Sequence, residues 1–415
     1  MKLSKSMIFV VLLGSGLQLY GQQADSAARK TLYQRPGFMP GVMTAPNKPV
    51  LGGTQTSQLS SDAPLNDDSG TYITFDAPGA VNGTLALSIN PAGAITGYFN
   101  DVNRIGHGFL RTSDGTITTF DVPGDANGTY PAAINPGGAI TGRYCDINHV
   151  CPGFLRSADG TITTFDVPGE VHGVYPSAVN PQGATTGTYL DAKFVLHGFL
   201  RGSDGTITTI DAPGAGTGIF QGTQAFDISP EGTVAGCYLD ANGVGHGFVQ
   251  ASDGTLTTYD VPNSTNLSCL EDYGFFVFPS LLQGINPPGA ITGAYFEPIP
   301  GNPFGGNYRG FLRDKHGSFT TFDAVPSPSS PCCTWTFSIA INPSGEIAGF
   351  DNDYKSVNHG FLRSKDGTVT ILDAPGAGTG SNQGTLARSI NPAGVIAGIY
   401  RDANSVYHGF LRIPH

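Results

Sequence analysis

Carboxylates, imidazoles and aromatic rings recur along this chain, and such side chains do acid–base chemistry, hold cations or stack on sugars. Asp76, Asp121, Asp166, Asp211, Asp260, Asp323 and Asp373 close one kind of segment. Asp101, Asp146, Asp191, Asp240, Glu297, Asp353 and Asp402 stand near the end of a second, and His107, His197, His246, His359 and His408 open a third. Paired carboxylates beside a histidine can act as acid and base or bind a cation. The same set stands in almost every repeat, however, whereas a catalytic centre breaks symmetry. Pro152 and Arg309 replace the histidine twice, so no role can require all seven. These groups therefore read as caps of turns and strand ends. No metal and no cofactor is expected.

The irregular segments carry the sharper signal. Three enlarged connections, 262–282, 297–308 and 325–336, hold Tyr273, Phe275, Phe276, Phe278, Phe304, Tyr308 and the single tryptophan, Trp335. Aromatic side chains on one loop face suit sugar stacking or a protein partner. Tyr273, Phe275, Phe276, Phe304, Tyr308 and Trp335 are the expected ligand-binding residues. Glu271, Asp272 and Glu297 are the only carboxylates in these insertions placed to cleave a polysaccharide. Cys269, Cys332 and Cys333 lie in the same insertions, where one disulfide tying two loops is expected. Cys145 and Cys151 flank a single loop and are expected to pair. Cys237, inside a strand, is expected to stay free and buried.

Positioning these groups is the work of a repeat. "INPAGAITGY" at Ile89 returns from Ile134, Val179, Ile228, Ile285, Ile341 and Ile390. "HGFLR" and "TITTFDVPG" recur with it at a spacing of about 45–50 residues, the length of a four-stranded blade. Gly and Pro fall too often for helices. Each unit divides into strand a ("ALSIN"), an Asn-Pro-x-Gly turn, strand b ("AITGYF"), strand c ("HGFLR"), an Asp-Gly turn and strand d ("TITTFD"). A two-residue turn at Asp114-Gly115 would set Gly108 opposite Asp121, and Gly153 opposite Asp166. The chain enters on a d strand, 71–76, and ends on a c strand, 408–412. The expected fold is thus all-β: a seven-bladed β-propeller of four-stranded antiparallel blades over 70–415, closed by pairing the N-terminal strand with the C-terminal blade.

Composition agrees. Of 415 residues, only 13% are charged, while 59 Gly and 30 Pro serve a fold of short strands and tight turns. A net charge of −11 argues against nucleic acid as a partner. Lys2 and Lys5 before the apolar run 7–19 read as a signal peptide, 1–21, with no membrane span after cleavage. Six cysteines fit an oxidising compartment. Residues 22–69 lack the repeat and are expected to be a disordered leader.

The unit "INPAGAITGYFNDVNRIGHGFLRTSDGTITTFDVPG" resembles the bacterial extracellular HAF repeat family, with Gly where the family's His-Ala-Phe landmark has Ala. The resemblance spans about residues 70–415. It implies export and a propeller-like array, and no activity. The expectation is a secreted, periplasmic or cell-surface monomer, not an enzyme, that binds a glycan or an extracellular protein through loops of repeats 4–6. A polysaccharide hydrolase or lyase and a structural envelope module are the alternatives.

Overall fold

The computed structural model describes residues 65–66, 69–262, 264, 266–267, 284–298, 306–325 and 335–415. The expected signal peptide and most of the expected leader lie outside them. Every described element is a strand, and each repeat folds as an antiparallel a-b-c-d meander. In the first unit the strands are Thr84–Ile89, Ile95–Asn100, Gly106–Arg111 and Ile117–Phe120.

Local chemistry fixes both tight turns. In the a–b turn, Gly93 donates its N–H to the Asn90 carbonyl at 3.0 Å, and the Ala94 N–H reaches Asn90 Oδ1 at 2.9 Å. The c–d turn differs from the expected two-residue hairpin. Arg111 pairs with Ile117 and Gly108 with Phe120, not with Asp121. Thr112 and Thr116 close a turn of three residues, and Gly115 occupies the left-handed region at φ 94°. Asp114 Oδ1 accepts from the Thr116 N–H at 2.9 Å, holding the turn open by one residue. Likewise Gly153 pairs with Phe165 instead of Asp166.

The core repeats with the sequence. Phe109, Phe154, Phe199, Phe248, Phe311, Phe361 and Phe410, one from each strand c, are fully buried. The first of these rings lies over Gly97 of strand b, where any Cβ would meet the Leu85 carbonyl oxygen at 1.8 Å. Glycine in the "ITGY" landmark is therefore a close approach of backbone and ring.

The first strand, Thr71–Phe75, pairs antiparallel with the last, Tyr407–Ile413, setting Thr74 opposite Phe410 and Phe75 opposite Gly409. No sheet among the described residues closes upon itself, and the longest connected path runs from Asn266–Leu267 to Thr71–Phe75. Buried asparagines link successive units. Asn90 Nδ2 donates to the Asn135 carbonyl at 3.3 Å and Asn135 to that of Asn180 at 2.9 Å. Asn286 donates to Asn342 at 3.1 Å, Asn342 to Asn391 at 3.3 Å and Asn391 to Asn90 at 3.3 Å. In the fourth unit Ser229 stands in this position. Ser229→Asn is expected to raise the unfolding free energy by about 1 kcal/mol, seen as a higher urea midpoint, by giving the ladder a donor there. An unchanged midpoint would show that the ladder does not extend through that unit.

Two segments depart from expectation. Leu65 and Asn66, inside the expected disordered leader, form a short strand parallel to Val369–Leu372. The first insertion does not lengthen a d–a connection. Asn266 and Leu267 pair with Phe296 and Tyr295, while Gly284 and Ile285 pair farther along the same strand with Thr292 and Ile291. Both pairs of residues thus lie along one strand, Ile291–Pro298, and residues 268–283 lie outside the described residues.

Candidate functional site

The b–c and d–a connections bring the recurring carboxylates and histidines together. His107 Nδ1 lies 2.9 Å from Asp121 Oδ1, and its Nε2 lies 3.9 Å from Asp101. The same triad recurs at His197 with Asp211 (2.8 Å), His246 with Asp260 (2.6 Å), His359 with Asp373 (3.0 Å) and His408 with Asp76 (3.0 Å). The strand-b aspartate folds on itself. Asp101 Oδ1 accepts from the N–H groups of Asn103 and Ile105, both at 2.8 Å, which holds its carboxyl below the usual range. An aromatic ring from strand b covers four of the five imidazoles, with Phe99 over His107 at 5.2 Å. Tyr189 stacks on His197 at 5.0 Å, Tyr238 on His246 at 4.9 Å and Tyr400 on His408 at 4.9 Å. The Tyr189 hydroxyl then pairs with Thr209 on strand d at 3.2 Å. These repeated groups cap and join strand ends, as their symmetry predicts.

Units 2, 5 and 6 break the pattern. In unit 2, where Pro152 replaces the histidine, a disulfide joins Cys145 to Cys151, as expected. In unit 5, Arg309 replaces it. Its Nε and Nη2 reach both oxygens of Asp323 at 2.9 and 2.7 Å, and Nη1 reaches Glu297 at 2.8 Å. Burial alone would lower the guanidinium, but the Asp323 bond and charge outweigh it and raise it above its ordinary value. In unit 6 the stacking tyrosine becomes Asp351, opposite His359 in the ladder, and the strand-d threonine becomes Ile371.

Asp351 is fully buried. Its Oδ1 accepts from the Thr336 hydroxyl at 2.6 Å, and its Oδ2 meets no donor among the described residues. Burial pushes this carboxyl up to about 6, with the Thr336 bond pulling the other way and the Asp323 charge adding to the rise. The Asp373 hydrogen bond raises His359 against the lowering effect of burial.

Beside these groups runs a line of rings. Phe296 meets Tyr308 at 5.4 Å, and Tyr308 meets Trp335 edge-on at 5.9 Å and Phe337 at 5.3 Å. Tyr308 is half-buried, while Trp335, at the start of strand a in unit 6, is 43% exposed. Two of the expected ligand-binding residues, Tyr308 and Trp335, thus come together, with Glu297 nearby. Tyr273, Phe275, Phe276, Phe278 and Phe304, with Glu271, Asp272, Cys269, Cys332 and Cys333, lie outside the described residues. The expectation for Cys237 fails, because this buried residue is itself disulfide-bonded. Sequence reasoning missed Phe296 and Asp351. The signal for Asp351 was present, since Tyr144, Tyr189, Tyr238, Tyr295 and Tyr400 occupy its position in other units.

The assembly is a propeller-like all-β repeat fold, and it resembles enzymes of known structure. A streptogramin B lyase shares 15% identity at a TM-score of 0.51, over 82% of this chain and 97% of that one. Virginiamycin B lyase from Staphylococcus aureus shares 12% identity at a TM-score of 0.50, over 83% of this chain and 100% of that one. An S511A mutant of puromycin hydrolase shares 12% at 0.51, over 80% of this chain and 53% of that one. No family model and no curated protein matches the sequence. These neighbours overturn the expectation that the chain is not an enzyme: two lyases and a hydrolase are built on the same kind of fold. At such identities the likeness establishes the fold alone.

Proposed function

We propose that this chain is an exported, closed β-propeller of seven blades with HAF-type repeats, whose loop face across units 5 and 6 binds a glycan. Closure is supported by the pairing of Thr71–Phe75 with the last strand and by the Asn391–Asn90 bond between the last and first units. Export is supported by the Cys145–Cys151 disulfide, and no described helix is long and apolar enough to cross a membrane. The observation that carries the binding reading is Trp335, an exposed indole propped edge-on by Tyr308. It stands in unit 6 next to unit 5, two of the three units whose polar ends depart from the repeat. A flat apolar plate beside fixed carboxylates and a guanidinium matches a sugar ring, which has apolar faces and a hydroxyl rim.

Oligosaccharide-array screening of the full chain tests this reading. Trp335→Ala is expected to weaken the best array hit at least tenfold while shifting the unfolding midpoint little, because the ring is substantially exposed. Undiminished binding by that variant, or an array without hits, overturns the reading. Cleavage of the bound glycan is the second reading, favoured by Asp351, an acid outside the recurring series, in the unit next to Glu297 and Asp323. New reducing ends or unsaturated sugars in incubated polysaccharide would mark it.

A further inference from the structure

Asp351 is the one place where this fold gives up a stacked, hydrogen-bonded tyrosine for a buried acid. The exchange is a double one. Where Tyr189 meets Thr209, unit 6 has Asp351 and Ile371, so both ends of the tyrosine–threonine bond are gone. An ionised carboxylate offers about four acceptor sites. Here one hydroxyl serves Oδ1, and nothing described serves Oδ2.

The surroundings compensate a charge only in part, through the imidazole of His359. From strand c, His359 faces Asp351, but its Nδ1 is taken by Asp373 at 3.0 Å and its Nε2 lies 3.7 Å from Asp353. From the turn after strand b comes Asp353 itself, and from unit 5 comes Asp323. Arg309, the nearby cation of that unit, is committed to Asp323 and Glu297. Strand a contributes only Thr336, the residue after Trp335. Burial outweighs the attraction of His359, and Asp323 and Asp353 oppose it, so a negative charge on Asp351 would stand desolvated with Oδ2 unserved, a state that buried groups avoid by taking up a proton.

We infer that Asp351 is a proton-operated control beneath the unit 5–6 face: as a neutral carboxyl it stays dry under the start of strand a, with Trp335 in the arrangement that receives a ligand, and its ionised form, which the single Thr336 bond does not solvate, draws in water and loosens that arrangement. The ligand part of this inference rests on the glycan reading above. With the carboxyl at about 6, its neutral fraction falls about thirtyfold between pH 5 and pH 7.5. The sign follows from the upward shift. The stabilising neutral form is fully present below the ordinary carboxyl range and is lost as pH rises through 6.

The single tryptophan reports on this without any ligand. Emission and acrylamide quenching of Trp335 are followed from pH 4 to 8 in the full chain. The expected result is a sigmoidal change centred near pH 6 that disappears in Asp351→Asn, an isostere that keeps the Thr336 bond. It should also disappear in Asp351→Tyr/Ile371→Thr, which restores the repeat's own pair. His359→Gln should retain it. So should Asp227→Asn, which changes the other carboxyl that burial raises to about 6. A flat wild-type profile, or one that survives Asp351→Asn or vanishes in His359→Gln, overturns the inference. An array without hits would sink the glycan reading and leave this titration intact.

Discussion

Gly97→Ala is expected to destabilise the protein by about 3–5 kcal/mol, far more than one methyl group ordinarily does. The reason is steric. Its Cβ would stand 1.8 Å from the Leu85 carbonyl oxygen and 3.1 Å from the Phe109 ring, so strands a and b must separate or the buried ring must leave its place. Neither partner is the free end of a flexible chain. Gly236 is built the same way, 2.1 Å from the Gln224 oxygen and 2.6 Å from Phe248. Gly254→Ala is the contrast. A Cβ there meets nothing within 4 Å, and the left-handed φ of 87° alone opposes the change, at about 1 kcal/mol. Urea unfolding of both variants checks the argument, and equal losses would refute it.

Removal of residues 71–76 is expected to have the larger effect, costing at least about 5 kcal/mol, comparable to the whole stability of many domains. That segment is the d strand of the last unit. It supplies five paired residues, from Thr71 opposite Ile413 to Phe75 opposite Gly409. It also supplies Asp76, 3.0 Å from His408. Phe75 packs across the seam against Phe109 at 6.1 Å, with Arg111 over its ring at 5.0 Å, so both flanking units lose a partner. A chain starting at residue 77 should melt broadly and early. A synthetic peptide spanning 69–78 should restore a cooperative transition by adding the missing strand. A truncated chain as stable as the full one would remove the seam from the account of the fold.

Much of this architecture is legible in the sequence because each unit repeats the same local instructions. Asn-Pro-x-Gly, the glycine of "ITGY" and the phenylalanine of "HGFLR" each answer to one physical constraint, and seven copies average out the noise. What was not legible came from one ambiguous turn and from features present in single copies. The c–d turn was misjudged by one residue because Asp-Gly fits both two- and three-residue turns, and only the Asp114 carboxylate holding Thr116 decides between them. The pairing of 266–267 and 284–285 along one strand rests on two pieces too short to show alternation. The likeness to lyases and a hydrolase lay beyond any sequence motif. Asp351 was hidden by its neighbour Asp353, which fits the recurring turn carboxylate, so the lost tyrosine two positions earlier drew no notice.

The junction between strands b and c is fastened in three chemically distinct ways around one scaffold: imidazole with carboxylate in five units, guanidinium with two carboxylates in unit 5, and a sulfur–sulfur bond in unit 2. The three fastenings do not share their chemistry. A thiol reductant can open only the sulfur one. The guanidinium joint, raised above its ordinary value, stays charged. Unit 5, whose Tyr308 props the indole, is thereby held at a joint that no reductant opens.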